Sequence, residues 1–319
     1  TARSEYEVLT GNSITFLPSG CVPYELYVRT PEHGMADILK SQGYYTIAMH
    51  PNNGHNWNRD QVYPQMGFDE FLNQDNWGGE YQDKLRGFVS DQSVFDKIIS
   101  LYKEKETNQK LFTFCVTMQN HGGYAMSYTN FAQEIYVTNM STVYPKANRY
   151  LSLVKRSDDA FRELTEYFSQ VTEPTIICMF GDHLPSIEDE FYEELFGTSL
   201  DNLTTEQQQL RYMTPFVIWA NYDIPEATLN QISANYLSTL VLQTAKLPLT
   251  QYNKYLASLY QKLPIINTVG YVDSDNNYYT HSESSKYDDL LYQYHCLVYN
   301  SLIDRNNRDS SVFFLNQNQ

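Results

Sequence analysis

Three short clusters in this chain carry side chains able to do chemistry. Gly181-Asp-His183 follows the apolar and β-branched run Thr175–Phe180. Asp182 offers a hard carboxylate oxygen and His183 an imidazole, a mixture suited to Mn2+, Mg2+ or Zn2+. The second cluster, His50-Pro-Asn-Asn-Gly-His55-Asn-Trp57-Asn-Arg59-Asp60, is a polar loop after another apolar run. Arg59 can present a planar fork to phosphate or sulfate oxygens, and Trp57 a flat face to a sugar or glycerol. The bland alternative is an Asn-rich loop in which Arg59 pairs with Asp60. The third cluster is the start, Thr1-Ala-Arg-Ser-Glu-Tyr-Glu7. A threonine at position 1 raises an N-terminal nucleophile with its own amine as base. That chemistry needs an autoprocessed terminus in a sandwich fold, which the segment order below does not fit.

Histidines recur where strands end: Met49-His50, Asn120-His121 and Asp182-His183. A single one is usually a satisfied structural residue. Three at strand carboxyl ends coincide with the place where open α/β sheets bind ligands. His33 and His281 lack this placement and read as surface residues, while His295 falls in the last helix.

The elements that must position these groups alternate between strand and helix through about residue 245, the pattern of an α/β sheet. Residues 35–42 read as a short helix stopped by Gly43, and Tyr44–Met49 as a strand. Asp91–Lys105 is helical, with Val94, Phe95, Ile98, Ile99 and Tyr102 on one face. Leu111–Thr117 is a buried strand, and Tyr150–Val171 a helix striped by Leu151, Val154, Phe161, Leu164 and Phe168. Thr175–Phe180 is continuously apolar, as expected of a strand buried on both faces in a parallel sheet. An acidic helix near Ile187–Leu195, a strand at Thr214–Ala220 and a helix at Ser233–Thr244 complete this part. From about Leu247 a Tyr/Asn-rich stretch leads to a final helix, Asp288–Ile303. The expected organisation is a catalytic domain over 1–245 and a C-terminal subdomain, 246–319, packed against it.

With 319 residues, 42% hydrophobic and 19% charged, the chain can bury a sizeable core. Its net charge of −16 excludes a nucleic-acid partner and a polybasic lipid contact. Phosphate chemistry therefore needs a few placed cations or a metal. The four cysteines, Cys21, Cys115, Cys178 and Cys296, are too dispersed for a disulfide framework or a zinc cluster. No run reaches the ~18 apolar residues of a membrane span, and no signal peptide is read. A start on Thr1 rather than Met reads as a piece of something longer.

Taken together, the clusters resemble a known family. Thr1-Ala-Arg-Ser-Glu-Tyr…Leu9-Thr-Gly-Asn-Ser13, Phe16-Leu-Pro-Ser-Gly20 and His50…Trp57-Asn-Arg-Asp-Gln-Val-Tyr63 resemble the extracellular domain of lipoteichoic acid synthases. Asn120-His121 and Gly181-Asp-His183 continue the match in order. Leu290-Leu-Tyr-Gln-Tyr-His…Tyr299-Asn-Ser-Leu-Ile-Asp304 resembles the tail of clostridial-type members.

The resemblance implies a phosphoglycerol transferase with a sulfatase-like, alkaline-phosphatase-related fold: a mostly parallel mixed sheet flanked by helices. It implies Thr1 as nucleophile and metal-facing group, Asp182 and His183 as Mn2+ ligands, with Mg2+ or Zn2+ as alternatives. His121 and Arg59 would contact substrate phosphate, with His50 and Trp57 lining the same pocket. The implied partners are an anionic phospholipid headgroup and a glycerol-phosphate polymer. The parent protein would be anchored by upstream helices on the outer face of a bacterial membrane, and the domain would be monomeric. The family also places a Glu ligand on a strand before the nucleophile. Glu5 and Glu7 are too close to Thr1 to occupy that strand, so the site of this chain alone is expected to be one carboxylate short. A phosphoethanolamine transferase, a phosphodiesterase and a non-catalytic glycerol-phosphate binder are the alternatives. A true sulfatase needs Cys/Ser-x-Pro-x-Arg, of which Cys21-Val-Pro-Tyr-Glu25 matches only the first half.

Overall fold

The computed structural model describes residues 1–78 and 83–315. Helix α1 (Ala2–Thr10) is opened by Thr1 as N-cap and ended by Gly11 at φ 76°. Glycine is needed at that end. A Cβ on residue 11 would sit 2.5 Å from Leu256 Cδ1, in a left-handed conformation that side chains resist. Helix α2 (Met35–Lys40) feeds β1 (Tyr44–His50), and α3 (Arg59–Gln65) feeds β2 (Glu70–Asn73). A small hairpin, β3 (Lys84–Leu85) and β4 (Phe88–Val89), precedes α4 (Asp91–Glu104), which Ser90 caps through its side chain. Then come β5 (Lys110–Cys115), α5 (Pro145–Ser169), β6 (Ile176–Phe180), α6 (Asp189–Phe196) and β7 (Phe216–Ala220).

Strands β2, β1 and β5 form a parallel ladder with β1 in the middle. Residues 46–50 of β1 are accordingly buried on both faces. Strands β6 and β7 form a separate antiparallel pair. The two ladders nevertheless share both faces. Leu111, Cys115, Ile177 and Trp219 pack against α4 and α5, whereas Phe112, Phe114, Val116 and Phe180 pack on the side of α1. The layer is thus one sheet interrupted between β5 and β6. Among the described residues, each of these two strands is laddered on one edge only.

This interruption corrects one sequence expectation. The run at 175–180 does form a strand, but its one neighbour is antiparallel and all five strand residues are only half-buried. An apolar run signals how much burial a strand suits, not the direction of its neighbour or whether its second edge is filled. Two boundaries also shift. The strand expected over 111–117 leaves its ladder after Cys115, and the helix expected from Tyr150 starts at Pro145, a residue favoured in a first turn.

The C-terminal part comprises α7 (Leu237–Thr244), α8 (Gln251–Tyr260), three two-residue strands β8–β10 at 265–279, and α9 (Asp288–Leu302). Tyr236, Tyr252, Leu256, Tyr271, Tyr294 and Phe313 share an aromatic core there. The last four residues of the expected subdomain lie outside the described ones. Polar bonds tie this unit to the end of α1. Tyr252 and Tyr294 donate to Gly11 O at 3.1 and 2.7 Å, and Asn12 Nδ2 donates to Ser301 Oγ at 2.8 Å. Arg308 pairs with buried Glu32, whose other oxygen accepts from Ser301.

His33, expected at the surface, is buried. Its Nδ1 lies 2.9 Å from Glu32 Oε1 and its Nε2 2.9 Å from Thr10 O. An acidic neighbour in sequence reads as surface, but here the pair is satisfied internally.

Candidate functional site

Gly181 follows the end of β6 in close contact with Thr214. Its N–H donates to Pro215 O at 3.0 Å, its carbonyl accepts from Thr214 Oγ1 at 2.7 Å, and a Cβ would meet Thr214 Cβ at 2.9 Å. Asp182 and His183 therefore leave the strand end together. The start of α1 docks on them: Ser4 Oγ donates to Asp182 O at 2.6 Å, and Thr1 N lies 3.7 Å from Asp182 Oδ2. The Thr1 side chain makes no capping bond to its own helix, so its hydroxyl is not committed to the backbone. His183 Nδ1 bonds Leu184 O at 2.8 Å, which puts the proton there. Its Nε2 lies 3.3 Å from Asp182 Oδ2. Both side chains are well exposed.

Thus Thr1, Asp182 and His183, far apart in sequence, come together at the carboxyl end of β6. A hydroxyl, a carboxylate oxygen and an imidazole nitrogen are a donor set fit for a divalent cation. Among the described residues, no three His, Cys, Asp or Glu side chains gather into such a set by themselves.

His50 ends β1 and is buried, with Nδ1 2.9 Å from Val116 O. Burial first, and the Arg59 charge second, push its pKa down to about 4. The ring is therefore neutral, its proton is on Nδ1, and Nε2 is left as an acceptor. His121 lies near enough for its charge to add to that depression. It is exposed and stacks obliquely on Phe88, ring centres 5.4 Å apart.

Arg59 is where the structure departs most from a reading of the loop. Its side chain is buried, with Nε 3.1 Å from Glu5 Oε2, Nη2 on Glu5 Oε1 and Nη1 3.3 Å from Asn56 O. Tyr63 donates to the same carboxylate at 2.7 Å. Burial alone would lower the Arg59 pKa, but Glu5 outweighs it and holds the guanidinium charged. The fork expected to face a phosphate is thus filled from α1, one turn after Thr1. Asp60, the partner in the bland reading, instead bonds His55 Nδ1 at 2.7 Å. Trp57 is 42% exposed, and both it and Asn58 adopt left-handed backbone, φ 59° and 55°. Strain of that kind, of order 1–3 kcal/mol per residue, persists only where surroundings enforce it.

Three further residues join the site without a sequence signal. Glu5 sets the Arg59 conformation. Tyr124, its OH 2.5 Å from Asn120 O, has its pKa pushed up to about 12 by burial, with Tyr150 and Asp182 adding to the rise. Ser157, on α5, holds Asn120 at 2.8 Å and Gln119 at 3.1 Å, fixing the turn that carries His121. All three depend on long-range packing.

The family model described as Sulfatase matches residues 1–249. A putative cyclic β-1,2-glucan modification protein of Rhizobium meliloti is 32% identical over 278 residues, 84% of this chain and 42% of that protein. Lipoteichoic acid synthase 1 of Bacillus subtilis is 23% identical over 210 residues, 65% of this chain and 32% of that protein. The chain thus spans less than half the length of either relative. The solved Streptococcus pyogenes phosphoglycerol transferase GacH, in complex with sn-glycerol-1-phosphate, superposes with a TM-score of 0.72 at 21% identity, covering 98% of this chain and 76% of that one.

Proposed function

Because this chain belongs to the sulfatase family, we propose that it is the catalytic part of a phosphoglycerol transferase using Thr1 as nucleophile. The observation that supports this most is the uncommitted Thr1 hydroxyl at the start of α1, set beside Asp182 and His183. The Thr1 oxygen attacks the phosphorus of a phosphatidylglycerol-type headgroup. The bond from phosphorus to the diacylglycerol oxygen breaks, and that oxygen takes up the hydroxyl proton. A phosphoglyceryl-threonine remains. An acceptor hydroxyl then attacks the same phosphorus, the bond from phosphorus to the Thr1 oxygen breaks, and the acceptor's proton returns to that oxygen. Asp182, His183 and the Thr1 hydroxyl would hold a divalent cation, Mn2+ or alternatively Mg2+ or Zn2+, whose charge lowers the hydroxyl pKa.

His121 faces the phosphate. Neutral His50 accepts a hydrogen bond from a glycerol hydroxyl, which suits an uncharged imidazole better than an anion does. Trp57 lends its exposed face to the glycerol, and Arg59 acts through Glu5 by fixing the helix that starts with Thr1. The gap between β5 and β6 accepts a further strand, which supplies the additional carboxylate a divalent cation requires. The acceptor is a glycerol-phosphate polymer. A glycan hydroxyl is the second reading, favoured by the similarity to the Rhizobium meliloti protein. The parent protein works on the outer face of a bacterial membrane. Among the described residues, no helix is long and apolar enough to cross one.

The test is the parent protein with Thr1→Ala and headgroup-labelled phosphatidylglycerol. The expected result is loss of transfer, together with a phosphoglyceryl mass increase on the Thr1 peptide of the unaltered protein. Retained turnover in Thr1→Ala would refute the assignment.

A further inference from the structure

Two arginines of the described residues are buried, Arg59 and Arg86, and only the first has a carboxylate. Arg86 sits at the apex of the β3–β4 turn with φ 62°, closed by Gly87 N–H to Leu85 O at 2.8 Å. That conformation costs a non-glycine residue energy and persists only where the surroundings enforce it. The side chain is 8% exposed. Its Nη2 donates to Gln119 O at 2.8 Å and His121 O at 2.7 Å, bracketing the turn that presents His121. Nε and Nη1 are buried with no hydrogen-bond partner, and no ion pair reaches the group, among the described residues.

Three rings face the guanidinium, Phe88 at 5.5 Å, Tyr124 at 5.4 Å and Tyr128 at 5.9 Å. Such contacts offset part of a buried charge but satisfy no N–H. A buried charge lacking its partner stays desolvated and uncompensated. In a chain with 38 acidic residues, a carboxylate partner would have been easy to place. Burial also lowers the Arg86 pKa, with Tyr124 and Tyr128 opposing it. The location is specific: Arg86 touches the His121 backbone, and Tyr124 beneath it lies close enough to Asp182 for that carboxylate to raise its pKa.

We infer that Arg86 is an anion-binding residue of this site, taking a phosphate oxygen of the ligand with the guanidinium nitrogens that the protein leaves unpaired. It supplies the cation that Arg59, committed to Glu5, does not offer. The identity of the ligand as a phosphoglyceryl group rests on the function proposed above; the anion site itself does not. Both nitrogens are covered in the structure, so phosphate enters only when the rings over them part; it then satisfies Nε or Nη1 and braces the His121 turn.

The experiment titrates inorganic phosphate and, separately, sn-glycerol-1-phosphate into the intact protein, its Arg86→Lys variant and its Arg86→Met variant. The expected result is at least tenfold weaker phosphate binding in Arg86→Met and partial rescue in Arg86→Lys, which keeps a point charge. Should Arg86→Met fail to fold, the Nε–H resonance of Arg86 in the unaltered protein, assigned by its loss in Arg86→Lys, decides the matter. A saturating shift with phosphate supports the site, and an unmoved resonance overturns it. Unchanged phosphate affinity in folded Arg86→Met also overturns it. If phosphate binds through Arg86 but glycerol phosphate binds no tighter, the anion site stands and the phosphoglycerol reading fails.

Discussion

Replacing Glu5 by Gln keeps the side-chain shape and removes one charge from a deeply buried ion pair. Arg59 would then be left charged at 2% side-chain exposure, with Asn56 O as its remaining long contact and Tyr63 OH competing for one amide oxygen. Removing one member of a buried pair costs about 3–5 kcal/mol, because the surviving charge stays desolvated. A domain has only about 5–15 kcal/mol in all. At about 2 °C per kcal/mol for a chain of this size, the melting temperature should fall by roughly 6–10 °C. The assay is urea and thermal unfolding of the single variants and of a Glu5→Met/Arg59→Met double variant. The double variant should lose less than Glu5→Gln, since two packed apolar chains leave no orphan charge. A loss below about 1 kcal/mol in Glu5→Gln, or a double variant worse than the two single ones summed, would show that the pair does not anchor α1.

Gly11→Ala should destabilise by about 2–3 kcal/mol, since its methyl group meets Leu256 in a left-handed backbone; an unfolding midpoint within error of the parent contradicts the packing described. His50 gives a pH prediction. Its folded pKa of about 4 lies below the usual 6.5, so the unfolded chain binds the proton more readily. Stability should be complete above pH ~6.5 and fall by up to about 3 kcal/mol as the pH drops towards 4. His50→Gln should flatten that limb, and an unchanged limb in the variant assigns the acid sensitivity elsewhere.

The parts of the fold that were legible in the sequence are those that repeat a local rule. Glycine and proline punctuated the strand–helix alternation, and the ends of β1 and β6 delivered His50, Asp182 and His183 where an α/β sheet exposes its strand ends. Thr1 beside Asp182 was not legible from any local pattern, because α1 approaches β6 through tertiary packing. Only resemblance joined them. The partner of Arg59 was hidden for the same reason. Its loop offers Asp60 one residue away, while the carboxylate that fills the fork sits 54 residues earlier. Arg86 drew no reading from the sequence, since nothing in Lys-Leu-Arg-Gly-Phe reveals that three rings close over it. The antiparallel partner of β6 was invisible because an apolar run has no direction.

The bonds that hold the end of α1 have a consequence in time. Asn12 meets Ser301 across 289 residues, and Gly11 meets Tyr252 and Tyr294 across 241 and 283. At synthesis rates of about 5–20 residues per second, those partners emerge roughly 15–60 s after the helix they fix. The end of the helix bearing Thr1 must therefore wait for these partners while most of the sheet is made behind it. Contacts of such range also form slowly even in a finished chain. The end of α1 therefore belongs among the last parts of the fold to be locked, and a ribosome-bound chain carries Thr1 long before these contacts anchor its helix.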